Sequence, residues 1–131
     1  MSQTVLITGA SNGIGKACAR VFARKGYDLV LVARHREKLE AVKAELSEYD
    51  VNIKVVAMDL TGEDAAVDLY NNLVLDDISI DILVNNAGFG DHGAFHDSSW
   101  EKQKKMVLLN IMALMQMTYV FGQSIKLRKK G

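Results

Sequence analysis

Residues 4–15, TVLITGASNGIG, join an apolar run that stops at Thr8 to glycines at positions 9, 13 and 15, a spacing suited to holding a phosphate. A strand that breaks at a glycine turn and resumes as a helix leaves backbone N–H groups at the helix mouth, where the positive end of the dipole faces an anion. Gly9 permits the tight turn, Gly13 lets the anion approach the backbone, and Gly15 lets the helix pack closely on the sheet. Ile14 supplies a backbone N–H at the helix start. An ordinary loop has no need of glycines at all these positions of one strand-to-helix turn. A second group, His92 and His96 with Asp91 and Asp97, has metal-ligating side chains, but a glycine-containing loop does not hold them on one face, and no metal is expected. Ser98 in the same loop lacks the strained elbow of a hydrolytic nucleophile.

The elements that must position the glycine turn follow from two alternating periods. Val5, Leu6 and Ile7 form a short unbroken apolar run, as in a strand buried on both faces. Ile14, Ala17, Cys18, Val21 and Phe22 then recur at helical spacing, and this first helix is expected to end near Gly26. Cys18 on that stripe reads as a packing residue. A second strand spans residues 28–33, and its helix, about residues 37–48, turns Leu39, Val42 and Leu46 inward. The third strand, 53–58, ends at Asp59, and a third helix is expected to start after Thr61, capped by it, and to bury Ala66, Leu69 and Leu73. The fourth strand is 81–85, DILVN. Strict alternation with short connections means a parallel sheet with helices on both faces. Ser98 and Glu101 form a capping box for a last helix over about residues 99–126. Met106, Val107, Leu108, Leu109, Ile111, Met112, Leu114, Met115 and Met117 surround that helix, which is expected to be buried on all sides, against the sheet and a second subunit. Asn110, Gln116 and Thr118 interrupt it too often for a membrane span.

Composition bounds the function. A chain of 131 residues, 49% hydrophobic, suffices for one domain with its own core, and no repeat or linker divides residues 1–131. Sixteen basic residues balance 16 acidic ones, which argues against nucleic acid or an anionic membrane and for a small-molecule partner. The terminal KLRKKG reads as a solvated helix end. The single cysteine rules out an intrachain disulfide, and the start, MSQTVLITG, is unlike a secretory signal; a cytoplasmic location is expected.

Thr8-Gly9-Ala10-Ser11-Asn12-Gly13-Ile14-Gly15, Asp59-Leu60, Asn85-Asn86-Ala87-Gly88 and Asn110, in this order and spacing, resemble the short-chain dehydrogenase/reductase family across nearly the whole chain. The resemblance implies an α/β, Rossmann-like open parallel sheet of about four strands, order 3-2-1-4, ending before the family's fifth strand. It implies cofactor contacts from Thr8, Gly9, Ser11, Asn12, Gly13, Ile14 and Gly15 at the pyrophosphate turn. Asp59 would accept a hydrogen bond from the adenine amino group, with Leu60 beside the ring; alone, Asp59 reads equally as a cap. Asn86, Ala87 and Gly88 would line the cofactor. Asn110 would kink the last helix and hold a water in a proton relay, the other reading being a core polar group. Phe89, His92 and Phe95 either border the substrate mouth or pack the loop.

Cofactor choice is set after strand two, where NAD-binding folds usually place an acidic residue for the ribose 2′-hydroxyl. Here stand Ala33, Arg34, His35 and Arg36: no carboxylate repels a 2′-phosphate, and a guanidinium can grip one. NADP is expected over NAD, with Arg34 on the phosphate and Arg36 there or solvated. The basic residue that NADP-using members often carry before the second glycine is replaced by Asn12.

The family's acid/base tyrosine, with a lysine four residues on and an orienting serine, has no counterpart: the four tyrosines are followed at that distance by Leu31, Ile53, Val74 and Gln123. A general acid must lie within hydrogen-bond reach of its target. The chain is therefore expected to hold the cofactor half of an NADP-dependent alcohol or carbonyl oxidoreductase and to be inactive alone; the alternative is a non-catalytic dinucleotide-binding or self-associating module. A bare fourth strand beside an apolar helix is expected to drive homo-oligomerisation through the helix around residues 100–126, or completion of the sheet by a partner.

Overall fold

The computed structural model describes residues 3–11, 13–86, 100–101, 104 and 112–127. Four strands, β1 (Thr4–Thr8), β2 (Asp28–Ala33), β3 (Ile53–Ala57) and β4 (Ile82–Val84), alternate with α1 (Gly13–Arg24), α2 (Arg36–Glu45) and α3 (Ala65–Leu75); α4 (Leu114–Leu127) comes last. The sheet is parallel throughout, in the order β3-β2-β1-β4, as the alternation and the family resemblance imply.

The unbroken apolar runs are sorted by the pleat. Leu6, Val30, Val32, Val56 and Leu83 face α3 and α4, and Val5, Ile7, Leu29, Leu31, Val55 and Val84 face α1 and α2. Both faces are covered, so successive residues in the middle of β1 and β2 are all apolar, whereas the edge strand β3 admits Lys54, which pairs with Asp76. At the amino ends of the strands, carboxylates replace missing ladder partners. Asp81 Oδ2 accepts from the Thr4 N–H at 2.9 Å, and Asp28 Oδ1 accepts from the Asn52 N–H at 2.9 Å. Asp81 is buried, so its charge is tied to the backbone rather than solvated.

Helix phases and starts depart from the sequence reading in two places. The face of α1 that packs on the sheet is Gly15, Ala19 and Ala23, with Cys18 and Phe22 half-buried; Ile14, Ala17 and Val21, expected inside, are exposed. Small residues let the helix axis approach the sheet, which larger apolar ones would hold off. α3 begins at Ala65, not directly after Thr61, because Asp59 Oδ1 accepts from both the N–H (2.9 Å) and the hydroxyl (2.7 Å) of Thr61, tying that residue into a turn. Leu39, Val42 and Leu46, and Ala66, Leu69 and Leu73, are buried as expected.

The last helix is also less enclosed than expected. Ala113, Met117 and Phe121 are buried against α3 and the sheet, whereas Met112, Leu114, Met115 and Tyr119 are exposed, Tyr119 by 67%. Ser98 of the capping box, and all of residues 105–111, lie outside the described residues. No helix among the described residues is long and apolar enough to cross a membrane.

α3 closes with Asp77 at φ 59°, its N–H bonded to Val74 O, while the Ile78 N–H reaches Leu73 O. This is the left-handed helix end that glycine favours, and a Cβ there is strained. Asp77→Gly is expected to raise unfolding free energy by about 0.5–1 kcal/mol, measured by urea titration.

Candidate functional site

The four carboxyl ends of the strands lie side by side because the register is fixed: Thr8 pairs with Val32, Val32 with Val56, and Ile7 with Val84. Beyond these pairs, the Ala10 N–H reaches Val32 O at 3.3 Å and the Met58 N–H reaches Ala33 O at 2.9 Å. The glycine turn, the Arg34 bend, Asp59 and Asn86 therefore line one rim of the sheet, where ligands bind in open α/β folds.

Gly9 (φ 64°) and Gly13 (φ 58°) both adopt left-handed backbone. Gly15 has ordinary helical backbone, yet its lack of a side chain is the tightest requirement here. A Cβ on it would overlap the Gly9 carbonyl oxygen, 2.7 Å from Asn86 Nδ2 and 2.8 Å from the Gly9 carbonyl carbon. At Gly13, by contrast, nothing among the described residues lies within 4 Å of where a Cβ would sit, so the backbone there is open to approach. Ile14 stands on the first turn of α1 with its side chain 74% exposed, and Ser11 is half-buried in the turn. First-turn N–H groups have no intrahelical acceptor, so they are free to meet an anion.

Thr8 and Asn86 lock the turn to β4. The buried Thr8 hydroxyl accepts from the Asn86 N–H at 2.8 Å and donates to Val84 O at 3.5 Å, and Asn86 Nδ2 donates to Gly9 O at 3.3 Å. Thr8, expected as a cofactor contact, thus spends its hydroxyl on the sheet. Asn85, from the same segment, donates through Nδ2 to Thr118 Oγ1 of α4 at 3.0 Å. The sequence marks Thr118 only as a polar interruption of an apolar helix, with no signal of its partner.

Arg34 is exposed one residue past β2, and among the described residues no carboxylate pairs with it. Arg36 opens α2, also exposed, whereas His35 Nδ1 stands 3.9 Å from Glu37 Oε1. Asp59 is exposed just past β3. Leu60, expected beside an adenine ring, buries its side chain in the core under α3, which leaves main chain as what it offers a ligand. Asn12, Ala87, Gly88 and Asn110 lie outside the described residues, as do Phe89, Asp91, His92, Phe95, His96, Asp97 and Ser98. Among the described residues no three His, Cys, Asp or Glu side chains group as metal ligands.

This rim fits a dinucleotide's phosphates: glycine backbone is open at one position, compelled by close packing at another, and a guanidinium without a carboxylate partner among the described residues stands just past the neighbouring strand. A family model described as short chain dehydrogenase matches residues 3–131. The chain belongs to this family. Among relatives of this short-chain dehydrogenase, a very-long-chain 3-oxoacyl-CoA reductase from Phaeosphaeria nodorum is 35% identical over 96% of the chain and 38% of its own length. The 17-beta-hydroxysteroid dehydrogenase type 3 of Mus musculus is 35% identical over 100% of the chain and 43% of its own. Among solved structures, a metagenomic short-chain oxidoreductase in complex with NADP superposes with TM-score 0.91 at 32% identity, over 100% of this chain and 60% of that one. A short-chain dehydrogenase from Sphingobium yanoikuyae in complex with NADPH gives TM-score 0.89 at 38% identity, over 98% and 51%. The chain thus spans less than half the length of the Phaeosphaeria nodorum and Mus musculus relatives.

Gly15→Ala is expected to cost about 3 kcal/mol in denaturant unfolding and to abolish dinucleotide binding, because the clash is with backbone that cannot yield. Gly122→Ala in α4, where a Cβ meets nothing within 4 Å, is the matched control and is expected to be neutral or stabilising.

Proposed function

We propose that the protein is an NADP-dependent oxidoreductase of the short-chain family, acting on an alcohol or carbonyl, and that these residues are its dinucleotide-binding part. The observation that carries the cofactor choice is Arg34: an exposed guanidinium, unpaired among the described residues, on the strand end next to the glycine turn. The 2′-phosphate is then held by Arg34, with Arg36 in reach of the same side, and the pyrophosphate lies on the main chain of Gly9, Ser11, Asn12, Gly13 and Ile14. Asp59 accepts from the adenine amino group, and Asn86, Ala87 and Gly88 line the nicotinamide side. When bound, the cofactor would supply the hydride for carbonyl reduction, or in its oxidised form accept it from an alcohol. The NADP and NADPH complexes of the structural neighbours support this assignment. Asn110 remains the one proton-relay residue carried over by resemblance, and the sequence contains no Tyr-x-x-x-Lys to serve as acid and its lysine.

Calorimetry is expected to show NADPH bound more tightly than NADH, and Arg34→Ala to weaken NADPH about 10–100-fold with little change for NADH, the scale of a charge-assisted phosphate contact. Equal losses for both ligands would refute the role given to Arg34.

Self-association through α4 belongs to the same proposal. Met112, Met115 and Tyr119 recur along one exposed face, together with Leu114, an apolar surface that association would remove from water. Sedimentation velocity at micromolar concentration is expected to show a dimer or larger species, and Met115→Glu to shift it to monomer; a wild-type monomer under the same conditions would overturn the idea.

A further inference from the structure

We infer that Gln116 is a positioning residue for the adenine side of the dinucleotide site, an inference that rests on the cofactor reading above. α3 starts without a cap of its own, since its N-cap residue, Asp64, makes no side-chain hydrogen bond to the helix. The first amide, Ala65 N–H, turns back to Gly62 O at 3.2 Å. The second, Ala66 N–H, donates to Gln116 Oε1 at 3.3 Å, and Gln116 Nε2 donates to Glu63 O at 2.6 Å. A side chain 50 residues away in sequence, on another helix, therefore does what a capping serine or aspartate does locally.

The stretch so pinned is the one that carries Asp59. Asp59 Oδ1 gathers the Thr61 N–H and hydroxyl, and the Gly62 N–H returns to Asp59 O at 3.4 Å, so residues 59–62 fold as a closed turn running directly into 63–66. Leu60 anchors this segment by burial, but burial has no direction. The two hydrogen bonds of Gln116 fix its rotation, and with it where the Asp59 carboxylate presents itself. An apolar side chain at 116 would pack against α3 as well as glutamine does and would leave a helix amide and a carbonyl unanswered. The primary amide, one donor and one acceptor on a single rigid plane, matches that carbonyl and amide pair.

The test compares Gln116→Met, which keeps shape and loses both hydrogen bonds, with Phe121→Leu, which loosens the packing of α4 on Tyr70 of α3 without touching the cap. Affinity is read by calorimetry on the 131-residue chain for NADPH and for adenosine 2′,5′-bisphosphate, the adenylate portion alone. Gln116→Met is expected to weaken both ligands about fivefold, the scale of one helix cap, whereas Phe121→Leu lowers thermal stability and leaves both affinities within about twofold. Equal affinities for wild type and Gln116→Met, or equal losses in the two variants, would overturn the positioning role and reduce Gln116 to a structural tie. If Gln116→Met does not fold, Gln116→Glu retains an acceptor for the Ala66 N–H and sets a carboxylate oxygen against the Glu63 carbonyl. Weaker binding of the bisphosphate is then expected, and unchanged binding overturns the inference. A wild-type chain that binds neither ligand removes the cofactor reading itself, a result distinct from any difference between variants.

Discussion

The packing of Gly15 against the Gly9 carbonyl is the constraint on which the rest of the rim depends. It sets how near α1 comes to the turn, and so where the first-turn amides of α1 point. It also brings Asn86 to the same carbonyl, which ties the turn to β4 through a side chain and, by way of Thr8, through main chain. Removing atoms at Gly15 is what creates this junction. The hydrogen bonds around it could not form if the helix were held off by the radius of one methyl group.

The two ends of the sheet divide their tasks. At the amino ends, Asp28 and Asp81 accept backbone N–H groups and leave little there for a ligand. At the carboxyl ends the corresponding donors belong to a helix mouth and an exposed arginine, and the carboxylate of Asp59 follows β3, the strand beyond the one that leads to the arginine. Charge is thus arranged locally on a chain whose net charge is +0. A local arrangement of this kind can favour an anion at the rim although the molecule as a whole attracts none.

The strands were legible in the sequence because each is a short apolar run between turn residues; their order follows from the family resemblance, and their register is seen only in the structure. The buried face of α1 was not, because Gly15, Ala19 and Ala23 carry little hydrophobic weight while the larger Ile14 and Val21 carry much; close approach selects for smallness, which periodicity of hydrophobicity does not detect. Thr61 has the chemistry of a helix cap, yet Asp59 captures it first, and an amide at the start of α3 is met instead by Gln116, about fifty residues away. The glycine turn and Arg34 could be located from local sequence alone. The roles of Thr8, Thr118 and Gln116 could not, since each is defined by a partner on another element.

The Thr8–Asn86 and Gly9–Asn86 hydrogen bonds join residues 78 and 77 apart in sequence. Local structure cannot pre-form such a junction, so the chain pays the loop-closure entropy of three strands and their crossovers before the turn is braced. The braced rim is consequently complete only once β1 and β4 have come together, so a chain in which they are apart lacks the turn as it stands here. A dinucleotide that recognises the braced turn draws the folding equilibrium toward completion by mass action, acting on this chain as a folding ligand.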